Sequence, residues 1–137
     1  MKITIINGPN LNLLGKREPS VYGAESVETY LVGLKKTFPT IEFSYQQSNV
    51  EGELVSCIQK ADGADGIILN AGAYTHTSLA IADAIAAIST PVVEVHISNI
   101  FKREDFRHVS YCGAKCIGSV SGLGLKGYEL AVRFFID

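Results

Sequence analysis

The stretch GIILNAGAYTHTSLAIADAIAAI, residues 66–88, decides the fold class. Its first residues, Gly66 to Leu69, form a short apolar run, which is typical of a strand covered on both faces. A polar loop follows, and Thr77 or Ser78 is suited to cap the helix predicted from Leu79 to Ile88. A buried strand, a polar loop and a helix in this order indicate an α/β fold.

The same alternation continues on both sides of this stretch. Apolar spacing predicts further strands and helices, and one helix begins at a capping box formed by Ser48 and Glu51. The pattern predicts one domain over residues 1–137, with a five-stranded parallel sheet between two layers of helices. The further strands are predicted over 3–6, 41–45, 91–97 and 115–118, and the further helices over 25–38, from Ser48 onward and over 127–135.

Composition and charge limit the classes of protein to which the chain can belong. It has 137 residues, of which 47% are hydrophobic, and a formal net charge of −2. This charge gives no electrostatic reason to expect nucleic acid or an anionic membrane as partner. No apolar run reaches the roughly 18 residues that a membrane span needs. Three cysteines, an odd number, argue against a disulfide framework and indicate a cytoplasmic protein.

The connection between the first strand and the first helix is unusually long. Asn7 to Gly23 reads NGPNLNLLGKREPSVYG, whereas such a connection usually takes about 2–6 residues. Long loops are mostly active-site lids or binding loops. This one contains polar side chains of reactive types, among them Asn10, Arg17 and Tyr22. A functional loop is therefore predicted, and a merely long connection is the alternative.

Arg17 and Tyr22 share this loop and suggest a base with its activating cation. A phenol with a pKa near 10 is a poor base at neutral pH. A guanidinium about 4 Å away contributes up to about 4 kcal/mol at an effective dielectric near 20. That energy is enough to bring the pKa of the phenol close to neutral. A solvated arginine and a packing tyrosine would fit the same spacing.

Reactive residues also follow the carboxyl ends of the third and fourth strands. His76 lies in the loop after the third strand, and Glu94-Val95-His96 ends the fourth. Ligands of open parallel sheets bind at this edge. Glu94 and His96 lie on the same side of the strand, where a carboxylate can prepare an imidazole to act as a general acid or metal ligand. A satisfied core histidine is the alternative for His96, while His76 is a candidate for substrate binding.

Two other patterns match known sites less well. Residues 122–127 fit the dinucleotide-binding pattern G-x-G-x-x-G, but no second strand or acidic residue for a ribose follows. A tight strand-to-helix turn is predicted there instead. His108, Cys112 and Cys116 lack a nearby fourth ligand for zinc. The cysteines are predicted to be small hydrophobic residues of the core.

The helix predicted over 79–88 is apolar almost all round, with Asp83 as its only charged residue. A helix that covers one face of a sheet normally has a polar outer side. Its absence predicts that another subunit covers the outer side, with Ile85 in the contact, and Asp83 would then need a partner. A capped or partly exposed aspartate is the alternative.

Several long motifs, taken in order, resemble those of the type II 3-dehydroquinate dehydratases. The resemblance runs essentially from end to end and rests on unusual sequences, so it is highly specific. The matching motifs are NGPNLNLLG at 7–15, REP at 17–19 with YG at 22–23, LNAGA at 69–73 with THTS at 75–78, EVHISN at 94–99, REDFR at 103–107 with SY at 110–111, and GLG at 122–124 with GY at 127–128.

The resemblance implies a flavodoxin-like fold with strand order 2-1-3-4-5 and the activity of a hydro-lyase. The reaction would be the reversible dehydration of 3-dehydroquinate to 3-dehydroshikimate through an enolate, without a Schiff base. It would serve the shikimate pathway or quinate catabolism, and no cofactor or metal is implied. The family assembles as a homododecamer built from trimers, which would account for the apolar helix around Asp83.

The resemblance also assigns roles to residues of this chain. Tyr22 would remove the proton alpha to the ketone, and Arg17 would stabilise the phenolate. Asn10 and the region of Asn70 would hold the enolate. His96, oriented by Glu94, would protonate the departing hydroxyl. The positions that match substrate contacts in the family are Asn70, His76, Asp83, Ile97, Ser98 and Arg107, the last of which suits a carboxylate.

Two other classes of protein remain open. A flavodoxin-like module that binds FMN or another phosphate ligand would use the same sheet edge, although the loops lack the aromatic residues that stack on a flavin. A subunit that assembles without catalysis would make Arg17, Tyr22 and His96 dispensable. Turnover of 3-dehydroquinate would separate the enzyme from both.

Overall fold

A computed structural model describes residues 1–16, 20 and 24–137 of the chain. Within these residues, five parallel strands form one sheet in the order β2-β1-β3-β4-β5. This order confirms the predicted α/β fold. Arg17 and Tyr22 lie outside the described residues. The strands are β1 (Lys2–Asn7), β2 (Glu42–Gln47), β3 (Gly66–Asn70), β4 (Val92–His96) and β5 (Gly118–Ser121).

Helices cover both faces of the sheet and complete a three-layer sandwich. In the described part of the chain they are α1 (Val27–Thr37), α2 (Glu51–Ala61), α3 (Leu79–Ala87) and α4 (Lys126–Ile136). None of them is long and apolar enough to cross a membrane. Ser26 begins α1 and Ser78 begins α3, since each side-chain oxygen accepts a backbone N–H of the first turn. Ser78 is therefore the cap that the sequence left open between two residues.

The two helical layers enclose separate hydrophobic clusters, and the alternation of the strands supplies both. Ile3 and Ile5 of β1 pack with α1 and α4, whereas Ile6 packs with α2 and α3. Successive side chains of a strand point to opposite faces of its sheet. Asn7 consequently lies on the same face as Ile5, below α4. The alternation therefore determines which helices the polar residues at the strand ends can contact.

Three local predictions were wrong. The capping box is absent because Val50 occupies the N-cap of α2, while the Ser48 hydroxyl accepts the Val50 N–H and donates to Glu53. The last strand begins at Gly118, since residues 113–115 form a 3₁₀ turn ahead of it. Ile85 is only 4% exposed and belongs to the chain's own core. The exposed residues of α3 are Leu79, Ala80, Asp83, Ala86 and Ala87.

Gly8 permits the close approach of the loop after β1 to the end of β3. Its N–H donates to the Asn70 carbonyl oxygen at 2.7 Å, and a Cβ added at Gly8 would lie 2.6 Å from the carbonyl carbon of Ala71. Backbone atoms cannot move away as a flexible side chain can. We expect Gly8→Ala to lower the free energy of unfolding by about 1–3 kcal/mol, measured by chemical denaturation.

Gly33→Ala is the matched control. Gly33 lies on the exposed side of α1, where an added Cβ meets nothing within 4 Å. Alanine is favoured over glycine inside a helix by up to about 1 kcal/mol, so this variant should be at least as stable as the wild type. Equal stability of Gly8→Ala and the wild type would contradict the close approach.

Candidate active site

A pocket opens where β1, β3 and β4 end at the carboxyl edge of the sheet. It encloses about 720 Å³ of space, part of which is open to solvent. The loop after β1 forms one wall, and the segments that follow β3 and β4 form the others. The described residues that line it are Pro9, Asn10, Leu11, Leu13, Leu14, Asn70, Gly72, Ala73, His76, His96, Ile97, Ser98, Ile100, Arg103 and Arg107.

The floor of the pocket is held by a buried hydrogen-bond network. Asn7 and Asn70 are paired in register at the ends of β1 and β3, so their side chains lie on the same face of the sheet. The Tyr128 hydroxyl, from the first turn of α4, donates to Asn7 Oδ1 at 2.7 Å and accepts from Asn70 Nδ2 at 3.3 Å. Asn7 Nδ2 lies 3.3 Å from the Tyr45 hydroxyl. The network thus joins three strands and one helix.

This network fixes which atom Asn70 can offer to a ligand. Asn70 Oδ1 accepts the N–H of Gly72 at 3.1 Å, and one hydrogen of Nδ2 goes to Tyr128. The second hydrogen of Nδ2 is left for the pocket. Burial raises the pKa of Tyr128 well above the usual phenol value, so its hydroxyl keeps its hydrogen. Asn70 therefore offers a donor, which suits an oxygen atom of a ligand.

Glu94 and His96 form the charged element of the site, as their position in the strand predicts. Both residues are buried, and Glu94 Oε2 lies 3.1 Å from His96 Nε2. The N–H is poorly aligned for a hydrogen bond, so the contact is mainly electrostatic. With Nε2 turned to the carboxylate, Nδ1 is the ring nitrogen left for the pocket. The pair thus places a carboxylate behind the imidazole and leaves the other ring nitrogen for a ligand.

The surroundings of Glu94 keep it ionised. Burial alone would raise its pKa, but the contacts with His96 and Ser110 outweigh burial, and the net pKa is below its ordinary value of 4.5. A carboxyl group with a lowered pKa in the folded state stabilises that state at neutral pH. This contribution is lost as the pH falls from the ordinary value through the folded one. At neutral pH the site therefore contains a buried anion beside His96.

His76 has the opposite character. Its Nδ1 lies 2.8 Å from the carbonyl oxygen of Val109; since a carbonyl only accepts, Nδ1 carries the hydrogen and Nε2 is left as an acceptor. Burial lowers the pKa of His76, and electrostatic interactions with His96 and Arg107 lower it further, against the Val109 carbonyl and the Glu94 carboxylate, which raise it. The ring is 6.3 Å from that of His96. Two histidines in one pocket thus offer different chemistry.

Two arginines bring positive charge to the pocket. Arg107 Nε donates to Glu104 at 2.6 Å, which leaves its terminal nitrogens as the atoms that can reach a ligand. Arg103 NH1 lies 3.4 Å from Ser98 Oγ. Arg103 was not among the site residues predicted from the sequence. The sequence did contain a signal for it, since the segment 103–107 has an arginine at each end.

The remaining candidates are placed as follows. Asn10 lines the pocket in a left-handed backbone conformation with φ 69°, which asparagine tolerates better than most residues. Ile97 and Ser98 line it directly after β4. Asp83 is exposed on α3 and is not part of the pocket lining of a single chain. Arg17 and Tyr22 lie outside the described residues.

The weaker patterns have structural roles. Residues 122–127 form a turn into α4 in which Gly122 and Gly124 have φ of 88° and 63°. Cys112 is fully buried, and burial raises the pKa of the Cys112 and Cys116 thiols to about 12. Among the described residues, no group of three or more His, Cys, Asp or Glu side chains is placed to hold a metal ion.

Comparison with known proteins places the chain in a family. Residues 1–136 match the family described as Dehydroquinase class II. The chain belongs to the class II dehydroquinases. The crystal structure of a type II dehydroquinase from Butyrivibrio crossotus superposes with a TM-score of 0.94 at 48% identity, covering 100% of this chain and 98% of that one.

Relatives of known name cover the whole of this dehydroquinase. A 3-dehydroquinate dehydratase from Fusobacterium nucleatum is 56% identical over 144 residues, which span 100% of this chain and 97% of the relative. Another, from an Exiguobacterium species, is 53% identical over 138 residues, spanning 100% and 95%. The similarity therefore includes every element that forms the pocket.

The network behind Asn70 leads to a prediction about two neighbouring tyrosines. Tyr128→Phe would leave Asn7 Oδ1 and Asn70 Nδ2 short of a partner in the core. Leaving a buried polar group unpaired costs about 1–3 kcal/mol, so we expect a loss of that size in the free energy of unfolding. Chemical denaturation at neutral pH measures it.

Tyr30→Phe is the matched control. The Tyr30 ring packs 6.3 Å from that of Tyr128, but its buried hydroxyl makes no hydrogen bond of normal geometry within the described residues. Removing that hydroxyl should change stability by less than about 1 kcal/mol. Similar losses in the two variants would show that the network adds nothing beyond packing.

Proposed function

We propose that this protein is a 3-dehydroquinate dehydratase, a hydro-lyase that converts 3-dehydroquinate to 3-dehydroshikimate and water. The observation that carries the proposal is the buried Glu94–His96 pair at a pocket that also offers an amide donor and two arginines. Loss of water next to a ketone needs a base, a group that stabilises an enolate and an acid. The relatives named above carry this activity in their names.

The reaction proceeds through an enolate. The Tyr22 phenolate, stabilised by the Arg17 guanidinium, removes the proton alpha to the ketone and becomes a neutral phenol. Asn10 and Asn70 hold the enolate oxygen. The enolate then collapses and the C–O bond to the hydroxyl breaks, as His96 supplies the proton that makes the leaving group water. A conjugated enone, neutral His96 and protonated Tyr22 remain, and proton exchange with solvent resets both residues.

The other pocket residues bind the substrate in this mechanism. Arg107 suits the carboxylate, since its terminal nitrogens can form a two-pronged contact with two oxygens. Neutral His76 accepts a hydrogen bond from a ring hydroxyl, and Ser98 and Ile97 complete the wall. Asp83 contacts substrate only if a neighbouring subunit brings it to the pocket. This division leaves proton transfer to His96 alone among the described histidines.

The lysines support a reaction without an imine. All eight lie within the described residues, and each is exposed. None lines the pocket beside Asn70 and His96. A lysine that forms an imine with its substrate usually lies in a desolvated pocket, whereas these lysines are on the surface. The ketone of the substrate therefore stays a ketone until the enolate forms.

We also propose an oligomeric state and a cellular location. The outer side of α3 is apolar and exposed in one chain, with Leu79 at 63% exposure. An exposed apolar surface of this kind is suited to burial against another subunit. It supports a homododecamer built from trimers, which light scattering distinguishes from a monomer. The enzyme works in the cytoplasm, in the shikimate pathway or in quinate catabolism. Flavin binding is disfavoured because, apart from imidazoles, the described lining residues include no aromatic ring.

Purified protein should convert 3-dehydroquinate to a product with conjugated-enone absorbance. Borohydride added with the substrate should leave the activity intact, because no imine is present to be reduced. Ultraviolet absorbance measures the first result, and mass spectrometry of the protein checks the second. Absence of turnover would overturn the proposed function, while a substrate-dependent adduct on lysine would overturn only the mechanism.

Variants of the long loop test the base. Tyr22→Phe keeps the ring and removes the ionisable oxygen, so it should fold normally and lose nearly all turnover. Arg17→Met removes the charge that favours the phenolate. The residual kcat/KM of Arg17→Met should therefore rise with pH over a more alkaline range than in the wild type. Steady-state kinetics across pH measure both effects.

Glu18→Gln is the control for these variants, since Glu18 is the neighbouring carboxylate that could act as a base. It should keep most of the activity. An active Tyr22→Phe beside an inactive Glu18→Gln would reverse the assignment. A higher KM for Arg17→Met with an unshifted pH profile would make Arg17 a substrate-binding residue instead.

A further inference from the structure

The segment from Val109 to Gly113 contacts groups of the site at three points without lining the pocket itself. The Val109 carbonyl fixes the His76 ring, and the Tyr111 N–H donates to the Thr75 carbonyl at 3.0 Å. Between them, the Ser110 hydroxyl bonds to the Glu94 carboxylate. The pocket lining includes none of the residues 109–113. They touch the groups that line it or that support the lining.

The direction of the Ser110 hydrogen bonds is determined. Ser110 Oγ accepts the backbone N–H of Gly113 at 2.8 Å. Its own hydrogen is therefore free to point at Glu94, and an ionised carboxylate can only accept. The oxygen it reaches is Oε2, the same atom that faces His96 Nε2. One carboxylate oxygen is thus shared between the serine and the imidazole.

The other carboxylate oxygen has little space to move. A Cβ added at Gly113 would lie 2.8 Å from Glu94 Oε1 and 3.0 Å from Ser110 Oγ. The turn consequently encloses the carboxylate on one side, while His96 lies on the other. Glu94 is only 3% exposed, so its hydrogen bonds to protein groups count for more than they would at the surface. Within the described residues, Ser110 is the neutral side chain that donates to Glu94 Oε2.

We propose that Ser110 is a positioning residue that holds the Glu94 carboxylate in place and thereby aims the His96 ring at the pocket. The inference rests on the proposed function only for its kinetic consequence. Its structural part concerns the charge and orientation of Glu94. Ser110 contacts no reacting atom and acts through Glu94.

The charged and titratable groups around Glu94 show how the Ser110 hydrogen bond affects the pKa of that carboxylate. His96, on the same strand, and His76, after β3, favour the anion, whereas burial opposes it. The thiols of Cys112 and Cys116 are close enough to feel the Glu94 charge but remain protonated. Without the Ser110 donor, burial would count for more, and Glu94 would take up a proton at a higher pH. A protonated Glu94 no longer stabilises an imidazolium.

Ser110→Ala tests the inference in two ways. The titration of Glu94, followed by carboxyl ¹³C NMR and assigned from the spectrum of Glu94→Gln, should move to higher pH. With 3-dehydroquinate as substrate, kcat should fall on the order of tenfold while KM changes little, and the acid limb of the kcat profile should move to higher pH. Ser110→Cys keeps the volume with a weaker donor and should give intermediate values.

Ser119→Ala is the matched control. Ser119 is paired in register with Glu94 on the neighbouring strand and is exposed, so its removal should move neither the Glu94 titration nor the kinetics. An unmoved Glu94 titration in folded Ser110→Ala would overturn the inference, as would a rise in KM at unchanged kcat. If the wild type does not turn over 3-dehydroquinate, the proposed function fails, yet the NMR titration still decides the role of Ser110.

Discussion

The hydrogen bond between the Tyr128 hydroxyl and Asn7 is the constraint on which the pocket depends. Asn7 and Asn70 end two adjacent central strands on one face of the sheet, where a helix covers them. Two amides in such a place must find partners, because an unpaired buried polar group is costly. One phenol satisfies both. It can do so only if α4 lies over the ends of β1 and β3, and this placement leaves an Asn70 hydrogen for the pocket.

The opposite face of the sheet contributes the charged chemistry. Asn7 and Asn70 point toward α1 and α4, while Glu94 and His96 point toward α2 and α3, as the alternation of a strand requires. The sheet thus separates a neutral, rigid floor from an ionised pair at the same edge. This separation keeps the Glu94 charge away from the amides. It also lets His76, near the positive groups, stay neutral while His96 faces a carboxylate.

The sequence predicts the central part of the fold well and its edges less well. Gly66 to Leu69 is apolar throughout because β3 is covered on both sides, so its pattern is unambiguous. The edge strand β5 reads GSVS and gives a weaker signal than the apolar residues before it, which explains its misplaced start. The orientation of α3 was unpredictable for a related reason. A helix that is apolar all round has no periodicity to show that Ile85 faces inward.

The candidate site is predictable where roles follow from short spacing and not where they depend on distant partners. Glu94 and His96 are two residues apart on a strand, so their contact follows from geometry. Ser110 reaches Glu94 from another segment of the chain, and no local pattern indicates which serine does so. The same holds for Tyr128, whose position in α4 reads simply as a core aromatic residue.

Tyr128 lies 121 positions along the chain from Asn7, and this separation affects how the protein folds. During synthesis β1 and β3 are complete long before α4 leaves the ribosome. Until α4 is made, its phenol is not there to pair with the two amides, so we expect them to stay hydrated. Docking of α4 pairs both amides with one phenol, through a contact between residues far apart in the sequence. We therefore expect the complete pocket only once α4 has docked, and chains that stop before α4 should lack the contact that orients Asn70.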